Sequence, residues 1–196
     1  MKIMKLQQKT KAWIDFRRSH VCASDAPVIM GQSPYRKLDQ LYKEKTQGFE
    51  QSQNPYMARG VELEPIALEE FMEETGLVMF PVVAKHDELD WMAASFDGVT
   101  ICRTAIVEIK CPGKKDHFEA TIGCIPKKYI AQVQHQIYVA DVQKAYYYSF
   151  DGEKGAIVEV KRDPVFISIM LEKEFEFWKS LQVLNQEKEN ATRAIS

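Results

Sequence analysis

Ser95-Phe96-Asp97-Gly98, followed after residue 104 by Ala105-Ile106-Val107-Glu108-Ile109-Lys110-Cys111-Pro112, decides how the rest of the chain is read. Asp97-Gly98 is a turn signal, and the segment beyond it alternates as a strand does. With a period of two, Ile106, Glu108 and Lys110 project to one face and Val107 and Ile109 to the other. An acid and a base therefore stand side by side on one face of an apolar strand. Asp97, arriving from the preceding strand or turn, can come close to Glu108. Converging carboxylates with a backbone carbonyl between them are hard ligands suited to Mg²⁺ or Mn²⁺. Lys110 would lie beside a metal-bound water, where it can orient that water or help polarise a phosphate. The plainer reading of the same residues is an exposed i,i+2 ion pair.

The flanks supply the elements around this strand. Residues 57–74 are patterned as a helix, with Leu63, Ala67 and Phe71 as its apolar stripe. Glu64 falls at the edge of that buried side, whereas Glu62 is turned roughly 160° away at ~100° per residue. A carboxylate at such an edge is either paired, with Arg59 as a partner, or coordinates a metal. Segments 78–85 and 91–95 read as strands that lead into Asp97, forming a mainly antiparallel meander with 104–110. Pro126 starts a helix to about residue 140, in which Ile130, Val133 and Ile137 interleave with Gln132, Gln134 and Gln136. Those amides serve either as phosphate donors near an acidic centre or as an outer polar face.

Upstream, Trp13 to Phe16 open an amphipathic segment, and Arg17-Arg18 precede Ala23-Ser24-Asp25. Ser24 reads as the N-cap of a short helix that stops at Gly31. A helix N-terminus beside two arginines suits an anion such as a phosphate, the alternative being an ordinary cap with surface arginines. A further short helix spans 38–45 and ends near Gly48. The polar stretch 49–56 is expected to be a mobile loop. Downstream, strands 145–150 and 156–161 flank an Asp151-Gly152 turn. A long last helix, 164–186, has Ile167, Leu171, Phe175, Trp178 and Leu181 as its core stripe and an acidic outer face. The remaining tail is expected to fray. This order gives an α+β fold, a mixed sheet flanked by helices, as one domain over 1–196.

With 45% hydrophobic and 28% charged residues, the composition is that of a folded soluble protein. The four cysteines include no C-x-x-C pair and read as reduced thiols, neither a zinc site nor a disulfide frame. The N-terminal residues lack the apolar run of a signal peptide, and no stretch approaches a membrane span, so a cytoplasmic protein is expected. A net charge of −2 argues against coating nucleic acid by bulk electrostatics. A local basic groove is still open to Arg17-Arg18, Lys114-Lys115 and Lys127-Lys128.

The spacing from Asp97 to Glu108-Ile109-Lys110 resembles the PD-(D/E)xK nuclease core. Five blocks narrow the resemblance: Trp13…Arg17…Ala23-Ser24-Asp25, Ala58-Arg59-Gly60…Glu64, Ser95-Phe96-Asp97-Gly98, Val107-Glu108-Ile109-Lys110-Cys111-Pro112 and Tyr129…Ala131-Gln132-Val133-Gln134. Together, in this order over roughly residues 13 to 150, they resemble the YqaJ/lambda-type viral exonuclease family. That resemblance implies a Mg²⁺-dependent 5′→3′ exonuclease that digests one strand of linear double-stranded DNA. It further implies 3′ overhangs for a single-strand annealing protein and a toroidal homotrimer. By motif matching, Asp97, Glu108 and the Ile109 carbonyl would hold metal, and Glu64 would serve a second ion or its water. Lys110 would act on the nucleophilic water, and Arg17, Ser24, Ser95 and Gln132 would form a 5′-phosphate pocket. Phe96 stands where the superfamily name has proline. Two other readings fit the core: an endonuclease of the same fold, and a non-catalytic DNA-binding module.

Overall fold

The computed structural model describes residues 1–48 and 55–193. In chain order the elements are β1 (Lys2–Met4), α1 (Lys11–Arg18), β2 (Val21–Cys22), α2 (Ala26–Ile29), α3 (Leu38–Gln47), α4 (Pro55–Thr75) and β3 (Met79–Lys85). There follow β4 (Met92–Thr100), β5 (Ile106–Lys110), α5 (Lys114–Thr121), α6 (Lys127–Ala140), β6 (Lys144–Phe150), β7 (Gly155–Lys161) and α7 (Pro164–Arg193). The expected loop at 49–56 lies outside the described residues up to position 54, and α4 already begins at Pro55.

Seven strands form one mixed sheet in the order β1-β3-β4-β5-β6-β7, with β2 lying parallel to β4. The meander β3-β4-β5 is antiparallel, as expected. Strand β6 then joins β5 in parallel. That pairing needs a crossover, which α5 and α6 supply.

Alternation along β5 divides the core. Val107 and Ile109 pack with Ala67 and Phe71 of α4 and with Tyr148 and Phe150 of β6. Ile106 packs on the other side, with Ile137 and Val133 of α6, Tyr147 of β6, and Ile167 and Met170 of α7. Phe71 is fully buried, so truncating it to alanine would cost about 3–5 kcal/mol.

Several local expectations are corrected. Asp97-Gly98 is not a turn: both residues lie within β4, and the chain reverses beyond Thr100. Gly98 is small for another reason. A Cβ there would come within 2.7 Å of Val107 Cγ1 and 2.9 Å of Met79 Cβ, so glycine permits close packing between neighbouring strands. In α7, Phe175 is exposed while Glu174 is fully buried. The inner stripe runs through Ile167, Met170, Glu174, Phe177 and Leu181, because His135 of α6 supplies a partner for the acid. Helix α7 also continues to Arg193, past the point where fraying was expected.

Candidate active site

Strands β4 and β5 pair at Gly98–Val107 and Val99–Ile106. Beyond these pairs Asp97 takes the place of a strand neighbour, its Oδ2 accepting the Ile109 N–H at 2.8 Å. In extended backbone the Ile109 carbonyl projects to the same edge as its N–H. On the face towards α6, Glu108 is 2% exposed in its side chain. Three donors meet it: Lys110 Nζ, Gln132 Nε2 at 2.5 Å and Gln136 Nε2. Gln136 also reaches the Ser95 carbonyl at 3.3 Å. The helical spacing of four that brings Gln132 and Gln136 onto one face of α6 therefore aims both amides at one carboxylate.

The charges are strongly coupled. Burial pushes the Asp97 carboxyl well above its ordinary range; Glu108 and, more weakly, Glu64 add to that, and Lys110 opposes it. Burial disfavours the Lys110 ammonium, but Glu108 and Asp97 outweigh it and hold its pKa above the usual lysine value. The Tyr129 ring lies 5.6 Å from Lys110 Nζ.

Glu64 is half-buried and meets Lys9 at 3.4 Å. Arg59, the partner considered from the sequence, instead donates to the Asp151 carbonyl and, at 3.5 Å, to that of Cys111. Among the described residues no group of three or more His, Cys, Asp and Glu side chains is gathered into a metal-binding cluster. The donor set that does converge is Asp97 and Glu108 with the Ile109 carbonyl at the same edge. Its chemistry fits a hard divalent cation, since a positive charge there would offset the burial and the carboxylate repulsion that raise the Asp97 carboxyl.

A second group adjoins the first. Arg17 Nη2 donates to Ser24 Oγ at 2.7 Å, and the Arg17 guanidinium lies 4.5 Å from the centre of the Trp13 ring. Trp13 Nε1 donates to Ser95 Oγ at 2.8 Å. Arg17, Trp13, Ser95 and Gln136 thus form a continuous path to Glu108. Ser24 is not an N-cap: Asp25 occupies that position without a side-chain capping bond, and α2 is only four residues long. The anion-binding argument from a helix N-terminus falls away, and Arg17 with the hydroxyls remains.

The structure joins Asp97 to the Ile109 N–H and Glu108 to Lys110 and Gln132 directly, couples the two carboxyls electrostatically, and joins Arg17 with Ser24. Ser95 links the two groups, while Glu64 stands apart on α4. Sequence reading offered Gln136 only as one of three amides for a phosphate or an outer face, and gave Trp13 no role beyond its motif block; Gln136 binds Glu108 and Trp13 binds Ser95. Gln132 donates to Glu108 through one of its two amide N–H groups.

The family described as the YqaJ-like viral recombinase domain matches residues 12–143. The chain is 30% identical over 173 residues to the uncharacterised protein YqaJ of Bacillus subtilis (strain 168), an alignment covering 85% of this chain. It spans about half the length of that relative, 54%. An alkaline exonuclease, LHK-Exo, from Laribacter hongkongensis is similar with a TM-score of 0.81 and 26% identity, over 95% of this chain and 100% of that one. LHK-Exo in complex with dAMP matches with the same TM-score and coverage at 25% identity. A phage related exonuclease from Haemophilus somnus 129PT, with a TM-score of 0.65 and 19% identity over 86% of this chain and 96% of that one, shares the fold. The seven-stranded mixed sheet is accordingly the PD-(D/E)xK fold expected from the sequence. The chain belongs to the YqaJ-like viral recombinase family.

Proposed function

We propose that this protein is a divalent-metal-dependent 5′→3′ exonuclease that digests one strand of linear double-stranded DNA and leaves 3′ overhangs for a single-strand annealing protein. One observation carries the reading: the Asp97–Glu108–Lys110 centre, built on the buried Glu108, is continuous, through Ser95 and Trp13, with the Arg17–Ser24 pair. A hard-donor centre beside an arginine and two hydroxyls suits cleavage next to a terminal phosphate. Family membership and the likeness to LHK-Exo support the nuclease class.

Asp97, Glu108 and the Ile109 carbonyl would hold Mg²⁺ or Mn²⁺, with Glu64 serving a second ion, and the bound cation would supply a nucleophilic water and charge neutralisation at the phosphate. Lys110, held charged by Glu108, orients that water and stabilises charge developing on the phosphoryl oxygens. Gln132 and Gln136 fix the Glu108 carboxylate, so that it meets the reaction without rearranging. Arg17 offers a planar fork to a terminal phosphate, and Ser24 and Ser95 offer uncharged donors. A ring of three copies would let duplex DNA pass through as it is shortened.

The test follows nucleotide release from linear duplex carrying 5′-phosphate or 5′-hydroxyl ends, with covalently closed circles and chelator as controls. Release from linear duplex only, fastest with 5′-phosphate and abolished by chelator, is expected. Cutting of closed circles would identify an endonuclease instead. Binding of duplex without any release at added Mg²⁺ or Mn²⁺ would identify a non-catalytic module.

A further inference from the structure

Asp25 and Lys45 form a buried ion pair that adjoins the Arg17–Ser24 contact. Lys45 Nζ lies 2.6 Å from Asp25 Oδ2. It also donates to the carbonyls of Arg17, at 2.6 Å, and His20, at 2.7 Å. An ammonium has three N–H bonds, and all three are used. Asp25 in turn accepts the Cys22 N–H at 2.9 Å and the Arg36 guanidinium at 3.1 Å. Arg36 continues to the Ser24 carbonyl at 3.1 Å and to Glu44 at 2.5 Å.

Stability is a weak reason for such an arrangement. A buried ion pair is often no better for stability than well-packed apolar residues of similar volume, because desolvation offsets the attraction. Its effect here is geometric. Lys45 anchors the backbone of Arg17 at the end of α1, and Arg36 anchors the backbone of Ser24. Asp25 binds both cations, so the two residues whose side chains meet at 2.7 Å are held from behind by one carboxylate. Burial alone would raise the Asp25 carboxyl, but Lys45, Arg36 and Arg17 outweigh it and keep it below its usual range.

We propose that Asp25, Lys45 and Arg36 are positioning residues for recognition of the DNA end: they preorganise Arg17 and Ser24 so that phosphorylated ends are preferred to hydroxyl ends. This rests on the reading of Arg17–Ser24 as an end-phosphate pocket.

The experiment compares wild type, the double variant Asp25→Leu/Lys45→Met and the single variants Arg36→Met and Lys45→Arg. Initial rates are measured on linear duplex with 5′-phosphate and 5′-hydroxyl ends, together with thermal unfolding. The double variant leaves neither charge of this pair unpaired, which favours a folded protein. Its 5′-phosphate preference should fall at least about tenfold, as expected for a displaced contact. Arg36→Met should lower it in the same direction, and Lys45→Arg should retain more of it than the double variant does. A folded double variant with the wild-type preference would overturn the assignment, as would equal slowing on both substrates. Loss of the fold in both the double variant and Arg36→Met would make the network a structural brace and overturn it too. A wild-type enzyme that digests both ends equally would instead overturn the end-pocket reading on which the assignment rests.

Discussion

The two faces of β5 come from alternate residues of a five-residue strand, yet they are built on opposite principles. Towards α4 the strand presents Val107 and Ile109 to Ala67 and Phe71, and nothing but shape and apolar area is at stake. Towards α6 it presents Glu108, which is almost fully buried, and α6 itself buries Gln134, His135 and Gln136. Gln134 and Gln136 both find partners: Gln136 reaches Glu108 and the Ser95 carbonyl, and Gln134 donates to the Lys161 carbonyl. His135 bridges Glu174 and the Ala93 carbonyl. One face holds the strand in place, and the other uses that rigidity to hold a charge where water would otherwise carry it. The cost of burying polar groups is offset by these hydrogen bonds, which also fix their directions, while Gln136 Oε1 and Glu174 Oε2 stay buried without a hydrogen-bond partner among the described residues.

Substitutions on the two faces should therefore fail differently. Glu108→Ala or Asp97→Ala should lower nucleotide release by on the order of 10²–10³-fold or more, while the protein keeps its far-ultraviolet circular dichroism. Phe71→Ala, across the strand, should cost about 3–5 kcal/mol in denaturant unfolding and leave the turnover of the remaining folded molecules close to wild type. If Phe71→Ala proved the more damaging to turnover per folded molecule, the division between the faces would be wrong. Lys110→Ala is intermediate: it should retain DNA binding and lose most of the cleavage rate. Unfolding of that variant would return Lys110 to the role of a structural ion-pair partner.

Next in size is Arg17→Ala. Removing a charge-assisted contact costs about 1.5–3 kcal/mol, or roughly 10- to 150-fold. The loss should fall on 5′-phosphorylated duplex and largely spare 5′-hydroxyl duplex. Equal slowing would mean that Arg17 only grips backbone, and no slowing would place it on the surface. Gln136→Leu should weaken divalent-metal affinity by about 10- to 100-fold, the usual effect of removing a residue that orients a ligand. Unchanged affinity, measured by titration, would separate Gln136 from the site.

How much of this was legible depended on how local the deciding physics was. The split of β5 into two faces follows from its period of two and could be read directly. So could the helix that starts after Pro126, from its apolar spacing, although not its role as a crossover to the parallel β6. Gly98 was misread because a glycine after an aspartate has two causes, turn geometry or close packing, and only Val107 and Met79 in space distinguish them. Glu174 was placed outside because its partner, His135, is 39 residues away. Glu64 was placed correctly at the edge of its helix, but its neighbour is Lys9 from the N-terminal segment, not Arg59 one turn back. The candidate site was legible as a set of residues. That Gln132 and Gln136 bind its carboxylate, and that Trp13 joins its halves, required the fold.

The smallest expected effect concerns acid. The Asp25 carboxyl is depressed below its unfolded value near 3.9. It therefore contributes stability that is present above that value and is lost as pH falls through the lower folded value. Urea midpoints should decline below about pH 4 in wild type, and this part of the decline should be absent in Asp25→Leu/Lys45→Met. An identical acid limb in the two proteins would show that the Asp25 charge is not linked to folding.

The most direct test of the central claim is binding of the cation itself, independent of turnover. Mn²⁺ is titrated into wild type, Asp97→Asn and Glu108→Gln, with free ion followed by electron paramagnetic resonance and heat by calorimetry. Saturable binding by wild type, weakened at least about tenfold in each variant, is the predicted result. Equal Mn²⁺ binding by all three proteins, or none by wild type even with DNA present, would contradict the assignment of this face of β5 as a metal-dependent nuclease centre.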